Sequence, residues 1–480
     1  MLENYEPKRV FHYFEEICGI PHASYHEKEI SDYLVAFAKE HDIPYWQDEL
    51  YNVVMIKEAS AGFENAEPII IQGHMDMVAE QDSDCTKDML KEGLDLEVVD
   101  GFVTAKGTTL GGDDGIAVAM ALAILEDDTI KHPRLEVIIT VSEEVGMEGA
   151  AGIDLSMLKG HRMLNLDSEE EGIFLAGCAG GCRVDLTLPV KEIEASGVKI
   201  AIAIDNLTGG HSGTEIDKNR ANAARIMTRL LAKAVLESED GIKLASFMAG
   251  TKDNAITRSA KAVFFASKNV SDALIEEASK IADEFAVSDP DMEISIEDEE
   301  NKSGKAADSA SSEKIVAMIT ACPNGIIRMS LDTPGLVETS LNQGVTAFDI
   351  EEKTEAKVSF SVRSSVDSAK LSLVDRLAIV GKSFGAKVDV HGMYPAWQFN
   401  RTSQFRDTMV DIYEKMFGAR PKVETMHAGL ECGLLSEKIP GLDAVSLGPE
   451  MHDIHTPKER LSIASTKRLY DYVLEVIANK

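Results

Sequence analysis

Four short, almost wholly apolar runs limit the folds open to this chain: "EPIIIQG" (67–73), "RLEVIITVSEE" (134–144), "HRMLNLD" (161–167) and, far downstream, "LDAVSLG" (442–448). Strands buried on both faces read as continuous apolar stretches, and such strands occur in parallel sheets with helices on each side. Helical patterns separate the runs, among them "GIAVAMALAILED" (115–127), 402–417 and 465–479. The expectation is an α/β domain with a mixed, mostly parallel sheet covered on both faces.

After "AGCAGGC" (176–182) the texture changes. The stretches "RVDLTLPVKE", "VKIAIAIDN", "KAVFFAS" and "AKVSFSVRSS" alternate polar and apolar residues, the pattern of antiparallel strands with one face on helices and one in water. Helical patterns at 221–237 and 272–285 supply the cover. Residues 183–395 are therefore expected to form an inserted α+β domain with antiparallel sheets. It has two related halves divided near 297–313 by an acidic and then Ser/Ala/Lys-rich stretch, of which the acidic run 297–300 reads as a solvated linker. Residues 1–182 and 396–480 build the α/β domain around it. A chain of 480 residues exceeds one ordinary core, in keeping with this division.

Charge narrows the function. The 48 basic and 82 acidic residues leave a formal net charge of -34, which repels phosphate backbones and anionic lipid and argues against nucleic-acid or membrane partners. The N-terminus, "MLENYEPKRVFHYFEE", is charged where a signal peptide needs an apolar core, and no later run reaches the length of a membrane span. Six scattered cysteines without C-x-x-C spacing suit a cytoplasmic protein with reduced thiols.

Five clusters of acids and histidines carry the chemistry. His74 and Asp76 follow the first apolar run, Glu143 and Glu144 the second, Asp167 closes the third, and His452 and His455 follow the fourth. Asp113 and Asp114, in "TLGGDDGI", precede a helix. All fall at the carboxyl ends of strands or beside them, where open α/β sheets collect ligands. Taken singly, each cluster is an ordinary turn, cap or surface pair. Together, carboxylates and imidazoles without cysteine describe a site for a hard-to-borderline divalent ion. One zinc ion needs about three protein ligands; the inventory exceeds that, so two ions are expected. Two ions about 3.5 to 4 Å apart need a bridging carboxylate. One of the paired aspartates would bridge while its neighbour, or the peptide between them, shapes the turn.

The motifs "GHMDMV", "TLGGDDGI", "SEEVGMEGA", "LNLDSEE", "GGHSG" and the late "HTP" resemble the co-catalytic dinuclear zinc peptidases, most closely the aminoacyl-histidine dipeptidase (Xaa-His dipeptidase, carnosinase-like) branch. The resemblance covers nearly the whole length, insertion included. It implies that Asp113 is the bridge, that His74 and Asp167 hold one ion, and that Glu144 and His455 hold the other. In that family the peptide after the bridging aspartate is commonly cis. Asp76 would orient the His74 imidazole, and Glu143 would take a proton from the attacking water and deliver it to the leaving amine. From the inserted lid, His211 would stabilise the oxyanion, and Asn254 with Arg258 would hold the substrate carboxylate. Thr257 stands where the family usually has proline. In "MHAGLECG", His427 would line the pocket and Glu431 would meet the free amino terminus.

The implied cofactors are two divalent ions, Zn²⁺ foremost, with Mn²⁺ or Co²⁺ accepted according to supply. The implied partners are small peptides, and the protein is a monomer or homodimer. The leading expectation is hydrolysis of dipeptides, including Xaa-His such as β-Ala-His. The alternatives are an aminotripeptidase, an aminopeptidase or an N-acyl amino acid deacylase of the same architecture, and, in another class, a non-catalytic metal-binding scaffold.

Overall fold

The computed structural model describes residues 1–479, which form two compact units. One comprises Met1–Cys178, Trp397–Thr425 and Leu430–Lys480, the other Ala179–Ala396 and Met426–Gly429.

In the first unit an eight-stranded sheet runs, in spatial order, Tyr45–Gln47, Val53–Lys57, Leu135–Thr140, Ile69–His74, Arg162–Asn165, Asp443–Ser446, Ile173–Cys178 and Lys422–Met426. Its middle four strands pair in parallel, and they are the four apolar runs. Tyr45–Gln47, Val53–Lys57 and Ile173–Cys178 join antiparallel. Ile69–His74 and Leu135–Thr140 are buried at every residue, which is why their sequences show no polar alternation. The helix Gly112–Glu126 is buried from Gly112 to Leu125 and packs on Lys8–Cys18. A helix without a polar face is stable only when enclosed, and enclosure holds Asp113 at its first turn away from bulk water.

A second, four-stranded sheet in this unit orders Met451–His452, Arg460–Ser462, Phe102–Ala105 and Leu96–Val99. Strands of two to four residues leave no periodicity, so the sequence does not announce them. Together they bring the segment carrying His455 beside the one leading to Asp113.

The second unit is built on a nine-stranded antiparallel sheet. Eight strands follow one path: Glu293–Ala307, Glu192–Asp205, Ala260–Ala266, Lys243–Ala249, Val337–Asp349, Glu355–Ser364, Gly180–Pro189 and Lys387–Tyr394, with Gly325–Met329 paired to Val337–Asp349. Each half of the path repeats one chain order, strand–helix–strand–strand–helix–strand, with the first strand between the third and the fourth. In one half the helices are Ala223–Glu237 and Ser271–Phe285; in the other, Ser309–Ala321 and Asp367–Phe384. The halves join where Lys243–Ala249 pairs with Val337–Asp349.

The acidic run 297–300 is not a linker. Residues Glu293–Ala307 form one long strand on Glu192–Asp205, and Ser309–Ala321 is a helix capped by Asp308, whose carboxylate accepts from Ser311 N. The strand lies at the sheet edge with most of its side chains exposed. An edge tolerates a charged run, and that charge also deters pairing with another edge. Among the described residues no helix is long and apolar enough to cross a membrane.

Candidate metal centre

Topology gathers the candidates in the first unit. His74 ends its strand, Glu143 and Glu144 lie in the turn after Leu135–Thr140, and Asp167 lies two residues beyond Arg162–Asn165. Asp113 opens the buried helix, and His455 occupies the turn between Met451–His452 and Arg460–Ser462 with φ 60°.

Asp113 stands between two imidazoles. Its Oδ1 lies 3.2 Å from His74 Nε2 and its Oδ2 3.1 Å from His455 Nε2. Asp167 Oδ1 is 3.6 Å from that His74 nitrogen, and Glu144 Oε1 is 2.9 Å from that His455 nitrogen. Ligand atoms around a tetrahedral ion with bonds of roughly 2.0–2.2 Å sit about 3.3–3.6 Å apart; the His74 separations are close to that spacing, and the His455 separations are shorter. The Asp113–Asp114 peptide is cis. Asp114 also lies within reach of His74 and Asp167, but one of its oxygens, Oδ2, accepts from His74 N at 3.2 Å.

Electrostatics separates the two aspartates. Burial alone would raise Asp113, but His455 and His74 outweigh it and hold its carboxyl below the ordinary range. Burial, joined by Asp167, keeps Asp114 well above that range. Of the two, Asp113 is the one held as an anion. His455 is pushed up to about 11 by Asp113 and Glu144. His74 is also raised, with Asp113, Asp167 and Asp76 overcoming its burial. Both imidazoles stand where the acceptors call for a positive charge.

Unpartnered atoms repeat that demand. Asp114 Oδ1, Asn165 Oδ1 and Glu431 Oε1 are buried without a hydrogen-bond donor, and all three are acceptors. Buried acceptors are normally satisfied; here the donor set, carboxylate and imidazole, fits divalent ions.

Around the ligands, His74 Nδ1 donates to the Asp76 carbonyl at 2.9 Å, which leaves Nε2 facing Asp113 and Asp167. The Asp76 carboxylate is 3.4 Å from that nitrogen and has further partners. It accepts from Glu143 N (3.0 Å), Glu144 N (3.3 Å) and Ser24 Oγ (2.8 Å), so it also anchors the turn bearing both glutamates. Burial pushes the Glu143 carboxyl well above its usual range; His74 opposes the shift, and Asp167, Glu431 and Glu144 add to it. Glu431 is fully buried, its Oε2 accepting from Gln72 Nε2 and Thr140 Oγ1 at 2.6 Å each.

The remaining candidates fall in the second unit, His427 included: residues 426–429 fold there although flanked on both sides by the first unit. His427 Nε2 pairs with Ser340 Oγ at 2.7 Å, and Ala179 N donates to the Met426 and Ala428 carbonyls. His211 Nε2 is 3.4 Å from Arg363 Nη2, and the Asn254 carbonyl accepts from Ser212 N at 2.9 Å. Arg258 is exposed, its Nε donating to the Leu207 carbonyl at 3.0 Å. Thr257 is buried with its hydroxyl on the Gln343 and Gly344 carbonyls, which fixes the loop without proline.

Sequence reasoning missed Arg363 and Glu459. Arg363 is 7% exposed, donates Nη1 to Tyr394 OH at 3.1 Å and keeps a buried Nε without a partner. Among the described residues it forms no ion pair with a carboxylate. In "VSFSVRSS" it reads as one more polar position of an alternating strand. Burial, helped by Arg363 and His211, lowers His427 to about 3. Glu459, 2% exposed, holds the loop before Asp113 through four backbone N–H groups.

The profile of Peptidase family M20/M25/M40 matches residues 70–479. A cytosol non-specific dipeptidase of Escherichia coli (strain K12) is 35% identical over 99% of this chain and 98% of its own length. The crystal structure of an aminoacylhistidine dipeptidase from Vibrio alginolyticus superposes with TM-score 0.91 at 34% identity, covering 100% of this chain and 99% of that one. An aminopeptidase PepT from Bacillus cereus, 16% identical with TM-score 0.57 over 99% and 98% of the two chains, shares the fold.

Proposed function

The chain belongs to peptidase family M20/M25/M40, and from that premise we propose a dinuclear metallodipeptidase that hydrolyses unprotected dipeptides, Xaa-His such as β-Ala-His included. The observation that carries this reading is Asp113, one carboxylate with each oxygen turned to a different imidazole. Two relatives matching over nearly their full length are named as dipeptidases, which favours that substrate size over the tripeptidase and deacylase alternatives.

In this reading His74, Asp113 and Asp167 hold one ion, and Asp113, Glu144 and His455 hold the other. Zn²⁺ is the proposed ion, with Mn²⁺ or Co²⁺ accepted. When bound, such ions lower the pKa of water and polarise the scissile carbonyl. Glu143 takes the proton from the attacking water and returns it to the leaving amine. Asp76 holds both the His74 tautomer and the backbone of residues 143–144. His211 stabilises the oxyanion. Arg363, a buried guanidinium without a carboxylate, takes the substrate's carboxylate, aided by Asn254 and His427; Arg258 then acts at the periphery. Glu431 offers its unpartnered oxygen to the substrate ammonium. The protein works in the cytoplasm as a monomer or homodimer.

The test is hydrolysis of β-Ala-His, Leu-His, Leu-Gly-Gly and N-acetyl-Met by chelated protein, with and without added Zn²⁺ or Mn²⁺. Metal-dependent cleavage of the two dipeptides alone is the expected result. Turnover of only the tripeptide or the acylated amino acid would overturn the substrate class, and silence with two ions bound would overturn the enzyme reading.

A further inference from the structure

The glycine pair ahead of Asp113 and Asp114 has a partner far along the chain. Glu459 Oε2 accepts from Leu110 N at 2.8 Å and Gly111 N at 3.1 Å, while Oε1 accepts from Gly112 N at 2.8 Å and Asp113 N at 3.4 Å. One buried carboxylate thus serves four successive peptides at the start of the Gly112–Glu126 helix. Gly112 leaves the room: a Cβ there would meet Glu459 Oε1 and Met451 Sδ, each at 3.2 Å. Gly111 supplies a left-handed φ of 66°.

A carboxylate at a helix N-terminus is ordinarily a cap, and caps come from the residue next to the helix. This one comes from 346 residues away, on the segment that carries His455. Its own backbone is held in turn, since Glu459 N donates to the Thr456 carbonyl at 3.0 Å and Thr104 Oγ1 donates to the Glu459 carbonyl at 2.8 Å. The carboxylate therefore ties together the two peptides that must bring Asp113 Oδ2 within 3.1 Å of His455 Nε2. The Asp113–His74 pair has a separate tie, in which Asp114 Oδ2 accepts from His74 N at 3.2 Å, and His74 ends its own strand, so that pair is not held through Glu459.

We propose that Glu459 is a positioning residue that sets the Asp113–His455 separation and so governs occupancy of the Asp113/Glu144/His455 ion, with little effect on the His74/Asp113/Asp167 ion. This rests on the two-ion reading above. Outer partners of metal ligands commonly change affinity by about 10- to 100-fold, and that is the expected loss at one site only.

The experiment titrates Zn²⁺ into chelated full-length protein by calorimetry, with bound metal counted by mass spectrometry. Wild type is expected to bind two ions. Glu459→Gln, which replaces one acceptor oxygen by a donor, is expected to keep one ion at wild-type affinity and bind the second about 10- to 100-fold more weakly. Gly112→Ala, which crowds the same carboxylate, should do the same and decides the matter if Glu459→Gln does not fold. Ser403→Ala removes an ordinary cap, in which Ser403 Oγ accepts from Arg406 N at 3.0 Å, and should lower melting temperature while keeping both ions. Two ions at wild-type affinity in both Glu459→Gln and Gly112→Ala, or equal weakening of both sites, would overturn the proposal and leave Glu459 a helix cap. Fewer than two ions in wild type would instead overturn the two-ion reading.

Discussion

Beside the candidate residues of each unit stand buried polar atoms without partners, and the two sets differ in kind. In the first, the buried atoms without partners around the ligand set include acceptor oxygens on Asp114, Asn165 and Glu431, together with the ring nitrogen Nε2 of His22. In the second, the cluster of His211, Arg363 and His427 keeps the guanidinium Nε of Arg363, the Ser212 hydroxyl and one ring nitrogen of His427. Orphaned polar groups cost about 1–3 kcal/mol each, so a fold retains them where a ligand completes them. The first set lacks cations and the second lacks an anion. A divalent ion would complete the first set and a carboxylate the second.

The sharpest way to break the contrast is to remove the group that does chemistry and leave charge demand intact. Glu143→Ala should lower kcat about 10²- to 10⁴-fold while the number of bound ions, measured by mass spectrometry, stays at two. Loss of metal along with activity would move Glu143 from base to ligand.

The anion side comes next. Arg363→Met should lower kcat/KM for a dipeptide by roughly 2–3 kcal/mol, some 30- to 150-fold, the range for hydrogen bonds to charged groups. It should act far less on the same dipeptide with its carboxyl amidated. An equal loss on both substrates would make Arg363 a structural residue.

The smallest effect concerns the acceptor side without metal. Burial raises Asp167 to about 6, Glu459 to about 7 and Glu431 to about 8, each above its ordinary carboxylate value. A carboxyl with a raised folded pKa stabilises the fold fully below its unfolded value, and that contribution is lost as pH rises through the folded value. Chelated protein should therefore lose melting temperature between about pH 5 and pH 8, by roughly 5 °C. Glu431→Gln should flatten the slope, as should added Zn²⁺. A melting temperature that rises over this interval would contradict the assignment.

Much of the first unit was legible because its four middle strands are buried on both faces and therefore wholly apolar, a pattern that also places the residues following each strand. His74, Glu143, Glu144 and Asp167 inherit their visibility from those strands. His455 trails the fourth run together with His452, and only its motif singled it out, since the two-residue strand Met451–His452 has no period. Arg363 and Glu459 were not legible for a shared reason: each is a charged side chain whose meaning depends on what its backbone neighbours withhold. Arg363 sits in a strand of alternating polarity, where a solvated arginine would look the same. Glu459 sits in "PKERLS", which reads as a surface turn until the loop at 110–113 is laid against it. The edge strand Glu293–Ala307 misled for the converse reason, because an exposed edge has the composition of a linker.

The order in which the ligands appear along the chain has a consequence for synthesis. His74, Asp113 and Asp167 are all translated before the second unit begins, whereas His455 and Glu459 emerge only near the end, after the strand Asp443–Ser446 that completes the parallel centre. A growing chain folds from its N-terminal part onward. Any ribosome-bound intermediate stopped short of residue 455 lacks a member of the proposed second set. In the proposed arrangement the second ligand set is thus assembled only after the inserted unit and the strand Asp443–Ser446 have been made.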